Sequence, residues 1–134
     1  MNDIKAMNLA QRLMMVQLKM EAMSRDKQGY NYKYFDINQI LDKLKPLLKE
    51  HGLVVTQPLT HIDGVPALTT ILMSGDERLE FTTPLPTNKI TSTDAKGVQT
   101  TFTDPQKMGA VITYYRRYAL QSLFLMEAED SDGK

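Results

Sequence analysis

The chain has 134 residues, 42% of them apolar and 24% charged, with 16 basic and 16 acidic side chains and no cysteine. That length suits one domain over residues 1–134, and the missing cysteines exclude disulfides, thiol catalysis and thiolate metal sites while allowing a reducing compartment. Zero net charge excludes a bulk polycation, and no apolar run approaches the roughly 18–20 residues of a membrane span, so no membrane partner is expected.

The N-terminal apolar pattern is interrupted by Gln11, Arg12, Gln17 and Lys19, unlike a signal peptide. Residues 3–24 instead read as a helix. Leu9, Leu13, Val16, Met20 and Met23 recur at helical spacing and form a packed seam. Lys5, Arg12 and Lys19 recur every seven residues as a separate basic stripe, read as a solvated face. Met7, Met14, Met15 and Met20 suit an adaptable protein–protein surface as well as a core. A domain this small leaves room for the seam to contribute subunit contacts.

Tyr30, Tyr32 and Tyr34 alternate with Asn31, Lys33 and Phe35, which suggests a short extended segment. Asp36 and Gln39 then form a capping-box pair at a helix start. Ile37, Ile40, Leu41, Leu44, Leu47 and Leu48 are its apolar face, Pro46 predicts a kink or restart, and Gly52 ends it. Three strand-like runs follow, Leu53–Gln57, Ala67–Met73 and Arg78–Thr83, with turns at Asp63-Gly64 and Ser74-Gly75-Asp76. Short connections make them an antiparallel meander. Residues 85–104 hold six threonines and few large apolar side chains, and read as a mobile loop or loose hairpin. Such a loop could close over a ligand lying on the following helix, with Lys89 and Lys96 at the rim. Asp104-Pro105 opens a last helix, Asp as N-cap and Pro at its first position.

Catalytic and metal chemistry is missing. There is no phosphate-binding glycine loop, no dinucleotide fingerprint and no nucleophile elbow. His51 and His61 fit no metal-ligand spacing and read as structural or exposed. The segment 127–134 resembles half a calcium loop, but Ala128 occupies the first ligand position. An acidic tail that balances or competes for a basic surface is expected there: it carries Glu127, Glu129, Asp130 and Asp132 against Lys134, whereas residues 5–49 hold nine basic groups and four acidic ones. No enzyme activity, metal or cofactor is expected.

The most informative stretch is Met108 to Leu120, with Tyr114, Tyr115 and Tyr118 around Arg116-Arg117. At about 100° per residue, Met108, Ile112, Tyr115, Ala119 and Leu123 share a buried side. Gln106, Ala110, Thr113, Arg117 and Gln121 share the opposite side, with Tyr114 at its edge and Arg116 on the flank. Gly109 leaves room for close approach of another backbone. Two readings fit this pattern. Arg117, Tyr114, Thr113 and Gln106 face a nucleic-acid strand that Arg116 reaches from the side, guanidinium on phosphate and ring on base. Alternatively, Arg116 pairs with Asp36 or Asp130 and the tyrosines only pack.

The run Gly109-Ala110-Val111-Ile112-Thr113-Tyr114-Tyr115-Arg116-Arg117-Tyr118-Ala119-Leu120, followed by Glu129-Asp130-Ser131-Asp132-Gly133, resembles the signature of the ERF (essential recombination function) family of phage single-strand annealing proteins. A second block, Lys33-Tyr34-Phe35-Asp36-Ile37-Asn38-Gln39-Ile40 with Lys45-Pro46-Leu47-Leu48 and Glu50-His51-Gly52-Leu53, matches in the same order. The chain departs at Ala110, where the family has serine, and at Tyr115, where it has a small residue.

The resemblance implies ATP-independent binding of single-stranded DNA and annealing of complementary strands in phage recombination. It also implies ring or filament homo-oligomers in the bacterial cytoplasm and contact with a host single-strand-binding protein. The fold it implies is α+β: a three-stranded meander packed against a long C-terminal helix, with helices before it. Basic residues on that helix line the DNA groove in the broader group, which maps to Arg116 and Arg117. The expected DNA-binding set is Arg116, Arg117, Tyr114, Thr113, Lys107 and Gln106, with Lys33 and Tyr34 from the second block. The rival reading is a protein–protein adaptor that docks its partner on the Met-rich N-terminal helix and uses the arginine pair structurally.

Overall fold

A computed structural model describes residues 6–26, 36–86, 89–103 and 105–126, with backbone alone for 22–26, 89–92 and 100–103. The first helix, α1 (Leu9–Asp26), begins later than residue 3. Asn8 sets the boundary: its Oδ1 accepts from Gln11 N and Gln11 Oε1 accepts from Asn8 N, each at 2.9 Å. This reciprocal cap satisfies donors that the first turn leaves open. The Glu77 carboxylate accepts from Leu9 N at 2.8 Å, placing negative charge at the positive helix end.

The second helix, α2 (Ile37–Glu50), has the expected box: Asp36 Oδ1 accepts from Gln39 N at 2.8 Å and Gln39 Oε1 from Asp36 N at 2.9 Å. It runs unbroken through Pro46 instead of restarting. Pro46 and Asp42 are both exposed, so water can meet the carbonyl that Pro46 leaves without a donor. Past the C-cap His51, Leu53 N donates to Leu48 O and Gly52 N to Lys49 O, with Gly52 at φ +66°. The chain reverses there by the left-handed route glycine permits.

Of the basic stripe, Arg12 and Lys19 are engaged by other parts of the chain, and Lys5 lies outside the described residues. Arg12 donates from Nε to Met7 O at 3.0 Å and from Nη1 to His51 O at 2.8 Å. Lys19 Nζ bonds Glu50 Oε2 at 3.0 Å and lies 3.2 Å from Nε2 of buried His51. That hydrogen bond, with the ammonium charge behind it, holds the Glu50 carboxyl below its ordinary value. Both cations clamp α1 to the end of α2.

The sheet has four strands: β1 (Val54–Thr56), β2 (Leu59–Ile62), β3 (Val65–Ser74) and β4 (Glu77–Pro84), all pairing antiparallel to β3. The three-strand expectation missed β2. Yet Thr56 faces Ile71 and Leu59 faces Leu68, so β1 and β2 keep one register across Gln57-Pro58. Pro58 lacks an N–H and breaks the ladder there, although its carbonyl still accepts from Thr69 N at 3.1 Å. Residues 89–103 form a hairpin, β5 (Lys89–Thr93) and β6 (Gln99–Thr103), where an unstructured loop was the alternative. Asp94 Oδ1 accepts from Lys96 N and Val98 N, and Gly97 sits at φ +85°. Lys96 lies at the hairpin tip and Lys89 at its base, so they do not share one rim.

The last helix, α3 (Pro105–Leu123), joins two apolar clusters. Its Ala119 packs with Leu68 and Leu85, with Phe81, Val111, Ile112 and Tyr115 alongside. Its Leu120 and Leu123 enter the larger core with Val16, Met20, Ile40, Leu44, Leu72 and Phe124. Leu9, Val16 and Met20 of the α1 seam are buried there, with Leu13 packed against them, so this part of the seam is internal; the Met23 side chain lies outside those described. Among the described side chains of α1, Met14 and Leu18 are the large apolar ones left exposed. Gln121, expected on the outer face, is buried. The α3 C-terminus repeats the α2 ending, Met126 N to Gln121 O and Leu125 N to Ser122 O, but with Leu125 rather than glycine at φ +53°. Segment 30–35, the Asp104 cap and the acidic tail 127–134 lie outside the described residues.

These two matched helix ends make opposite stability changes. A Cβ at Gly52 would stand 2.5 Å from Arg12 Nη1 and force it off His51. Gly52→Ala therefore lowers unfolding free energy by about 1–2 kcal/mol. Leu125→Gly raises it by about 0.5–1 kcal/mol, because relief of left-handed strain outweighs the added freedom of the unfolded chain at an exposed side chain. Urea melts of both variants check this; shifts of the same sign contradict it.

Candidate nucleic-acid interface

Consecutive helical residues point about 100° apart. On α3 this sends Arg116 and Arg117 to different flanks. Gln57, at the β1–β2 break, fixes the helix position: its Nε2 donates to Oγ1 of fully buried Thr70 at 3.1 Å and to Arg116 O at 3.3 Å.

On the outer flank, the Tyr114 and Tyr118 rings stack with centroids 4.7 Å apart and planes 23° apart. The Tyr118 hydroxyl donates to the Tyr114 hydroxyl at 3.0 Å. The Arg117 guanidinium carbon lies 5.0 Å from the Tyr114 centroid and 4.8 Å from the Tyr118 centroid. Cation–π attraction holds the charge beside the rings. Tyr114 is 48% exposed and Tyr118 44% exposed, so the cluster faces solvent. Half-buried Tyr115 supports it edge-on, 6.5 Å from Tyr118 at 68°. Thr113, Gln106 and Lys107 are exposed on the same side of α3, one to three turns nearer its start. A Cβ at Gly109 would meet no atom within 4 Å, so no other part of the described chain approaches there.

On the other flank, Arg116 faces a groove of about 490 Å³ between α2, the β1–β2 edge and α3. Leu41, Leu48, Val55, Leu59, Ile112 and Leu120 make it mostly aliphatic, and Lys45 is the second cation on its wall. Asp36, a proposed partner of Arg116, is occupied as the α2 cap, and Asp130 lies outside the described residues. Among the described residues the Arg116 side chain has no hydrogen-bond or ion-pair partner.

Of the expected DNA-binding residues, the structure gathers Arg117, Tyr114, Thr113, Gln106 and Lys107 along one side of α3 and puts Arg116 elsewhere. Lys33 and Tyr34 lie outside the described residues. Sequence reasoning passed over Tyr118 as a member of the stack, although its spacing of four from Tyr114 is the signal for a shared helix face. It also passed over Lys45 and Gln57. Lys45 was signalled by its place one turn from both Leu41 and Leu48 on α2. Buried His51 is taken up by the α1–α2 clamp and His61 is exposed on β2. Among the described residues no group of three or more histidines and carboxylates could hold a metal ion, and no helix is long and apolar enough to cross a membrane.

An antiparallel sheet crossed by a C-terminal helix that carries an exposed arginine–tyrosine cluster defines an α+β domain. The family model of the ERF superfamily matches residues 9–134, and the chain belongs to that superfamily. No curated protein and no solved structure matches it. Membership agrees with both sequence blocks and suggests a role in phage recombination or annealing.

The hydrogen bond to Tyr114 requires the Tyr118 proton, and it raises the Tyr118 pKa above the ordinary phenol value; partial burial adds to the rise and Arg117 opposes it. The folded form therefore favours the neutral phenol. This contribution is present at neutral pH and disappears as pH rises through the raised value. Tyr114→Phe removes the acceptor, so Tyr118 titrates at lower pH than in the parent. Ultraviolet titration of phenolate, with Tyr118→Phe to assign the signal, checks the direction; an upward move contradicts it.

Proposed function

We propose that the protein binds single-stranded DNA without sequence preference and anneals complementary strands during phage recombination, with no ATP and no covalent step. The observation that carries this reading is the solvent-facing stack of Tyr114 and Tyr118 under Arg117, on the last helix of an ERF-superfamily chain. Phosphates are met by Arg117 and Lys107, and release of condensed counterions drives binding. Bases stack on the exposed tyrosine faces, which accept any base. Thr113 and Gln106 supply hydrogen bonds further along the helix.

A strand held by its backbone and one face of its bases keeps pairing edges open to a complementary strand. Annealing then needs alignment of strands and no acid, base or metal. Homo-oligomers extend the binding face from one subunit to the next. With Leu9, Val16 and Met20 buried inside, exposed Met14 and Leu18 are the large apolar residues among the described side chains of α1 that such contacts could use. Contact with a host single-strand-binding protein belongs to the same reading.

Fluorescence anisotropy with labelled oligothymidylate and with duplex across a salt series tests the binding step. Single strands bind more tightly, and the affinity falls steeply with salt. Arg117→Ala reduces the slope of log K against log salt by about 0.7, the value of one phosphate contact on a single strand. Tyr118→Ala weakens binding by about 1–3 kcal/mol with little change in slope. Undiminished affinity at molar salt, or no binding at low salt, refutes the reading.

A further inference from the structure

We propose that the groove between α2, the β1–β2 edge and α3 is a docking site for an acidic peptide segment of a partner protein, anchored by large apolar side chains. This goes beyond the DNA reading and does not rest on it. The groove offers about 490 Å³, within the usual range of ligand clefts. Its walls present half-buried Leu41, Leu48, Val55 and Ile112, and Leu59 stays 62% exposed at the edge. That is aliphatic surface left uncovered by the chain's own described residues. Arg116 and Lys45 stand on opposite walls, on α3 and α2, and among the described residues neither has an acidic partner. Gln57 is held by Thr70 and the Arg116 carbonyl, which preforms the floor.

Charge and shape together select the occupant. Half-buried Arg116 and exposed Lys45 favour carboxylates, with Arg116 able to take one bidentately. The aliphatic wall favours leucine-like or aromatic side chains between those carboxylates. Nucleic acid satisfies the cations but not the wall, because bases stack on aromatic rings and Tyr114, Tyr115 and Tyr118 are absent from this lining. The segment Glu127-Ala128-Glu129-Asp130-Ser131-Asp132-Gly133 has the charge but no side chain to fill the aliphatic space. An acidic sequence with bulky apolar residues meets both demands, so the two arginines serve two different partners.

The test uses the full chain and a short fluorescein-labelled peptide of alternating aspartate and leucine. Its controls replace leucine by serine, or aspartate by lysine, and include a peptide of residues 127–134. The alternating peptide binds at least about tenfold more tightly than every control. Exposed-site variants Lys45→Glu and Leu59→Ser each weaken it about tenfold, as does Arg116→Gln, while Leu59→Ser leaves oligothymidylate binding unchanged. Equal binding of the serine control or of the 127–134 peptide reduces the site to charge alone and overturns the proposal. So does full displacement of the peptide by oligothymidylate, which makes the groove a nucleic-acid channel, and so does failure of the alternating peptide to bind. A failed DNA reading shows instead as absent oligothymidylate binding with peptide binding intact.

Discussion

The rotation of about 100° between neighbouring helical residues is the constraint on which the rest depends. With α3 packed on the sheet and α2, its exposed residues form one outer face, around Arg117, while Arg116 lies at the edge toward α2. Arg116 and Arg117 are adjacent in sequence and must therefore point into different surroundings. One meets stacked phenols in solvent and the other an aliphatic groove with a second cation. The same guanidinium chemistry is thus set in two different environments by its neighbours alone.

What holds α3 at that angle is distributed. Gln57 ties its Arg116 carbonyl to the β1–β2 break, and Gln17 Nε2 of α1 bonds the Leu123 carbonyl at 3.0 Å. Leu120 and Leu123 sit in the same core as Val16, Met20, Ile40 and Leu44. The Arg12 and Lys19 contacts with the end of α2 close this assembly on the opposite side. The proposed DNA face thus rests on a helix whose supports named here lie outside the Tyr114, Arg117, Tyr118 cluster, so changes to that cluster are expected to read on binding more than on folding.

Local signals in the sequence were the most legible. The Asp36 and Gln39 box, the left-handed turn at Gly52 and the inward row Met108, Ile112, Tyr115, Ala119 and Leu123 all depend on near neighbours, and the structure has them. Gln121 was misread because the α3 C-terminus is enclosed on more than one side, which a two-sided helical wheel does not represent. Strand β2 was hidden by Pro58, which looks like a strand end although the register continues past it. The β5–β6 hairpin was obscured by its threonines, small and polar yet strong strand formers, while Asp94 and Gly97 supplied the turn chemistry. Two members of the basic stripe departed from a solvated face for a tertiary reason: Arg12 and Lys19 found a carbonyl and a carboxylate at the end of α2, thirty-odd residues away in sequence. For the site, residue types and helix face were readable, but the division of the arginine pair needed the position of α2.

Photo-cross-linking of bound oligothymidylate, followed by mass mapping of the adducts, tests the central claim most directly. If the outer flank of α3 is the DNA face, adducts concentrate on Tyr114 and Tyr118, and Arg117→Ala reduces them in step with affinity. Adducts concentrated on the residues of α1 or on the α2 side of the groove, with Tyr114 and Tyr118 unmodified, would contradict it.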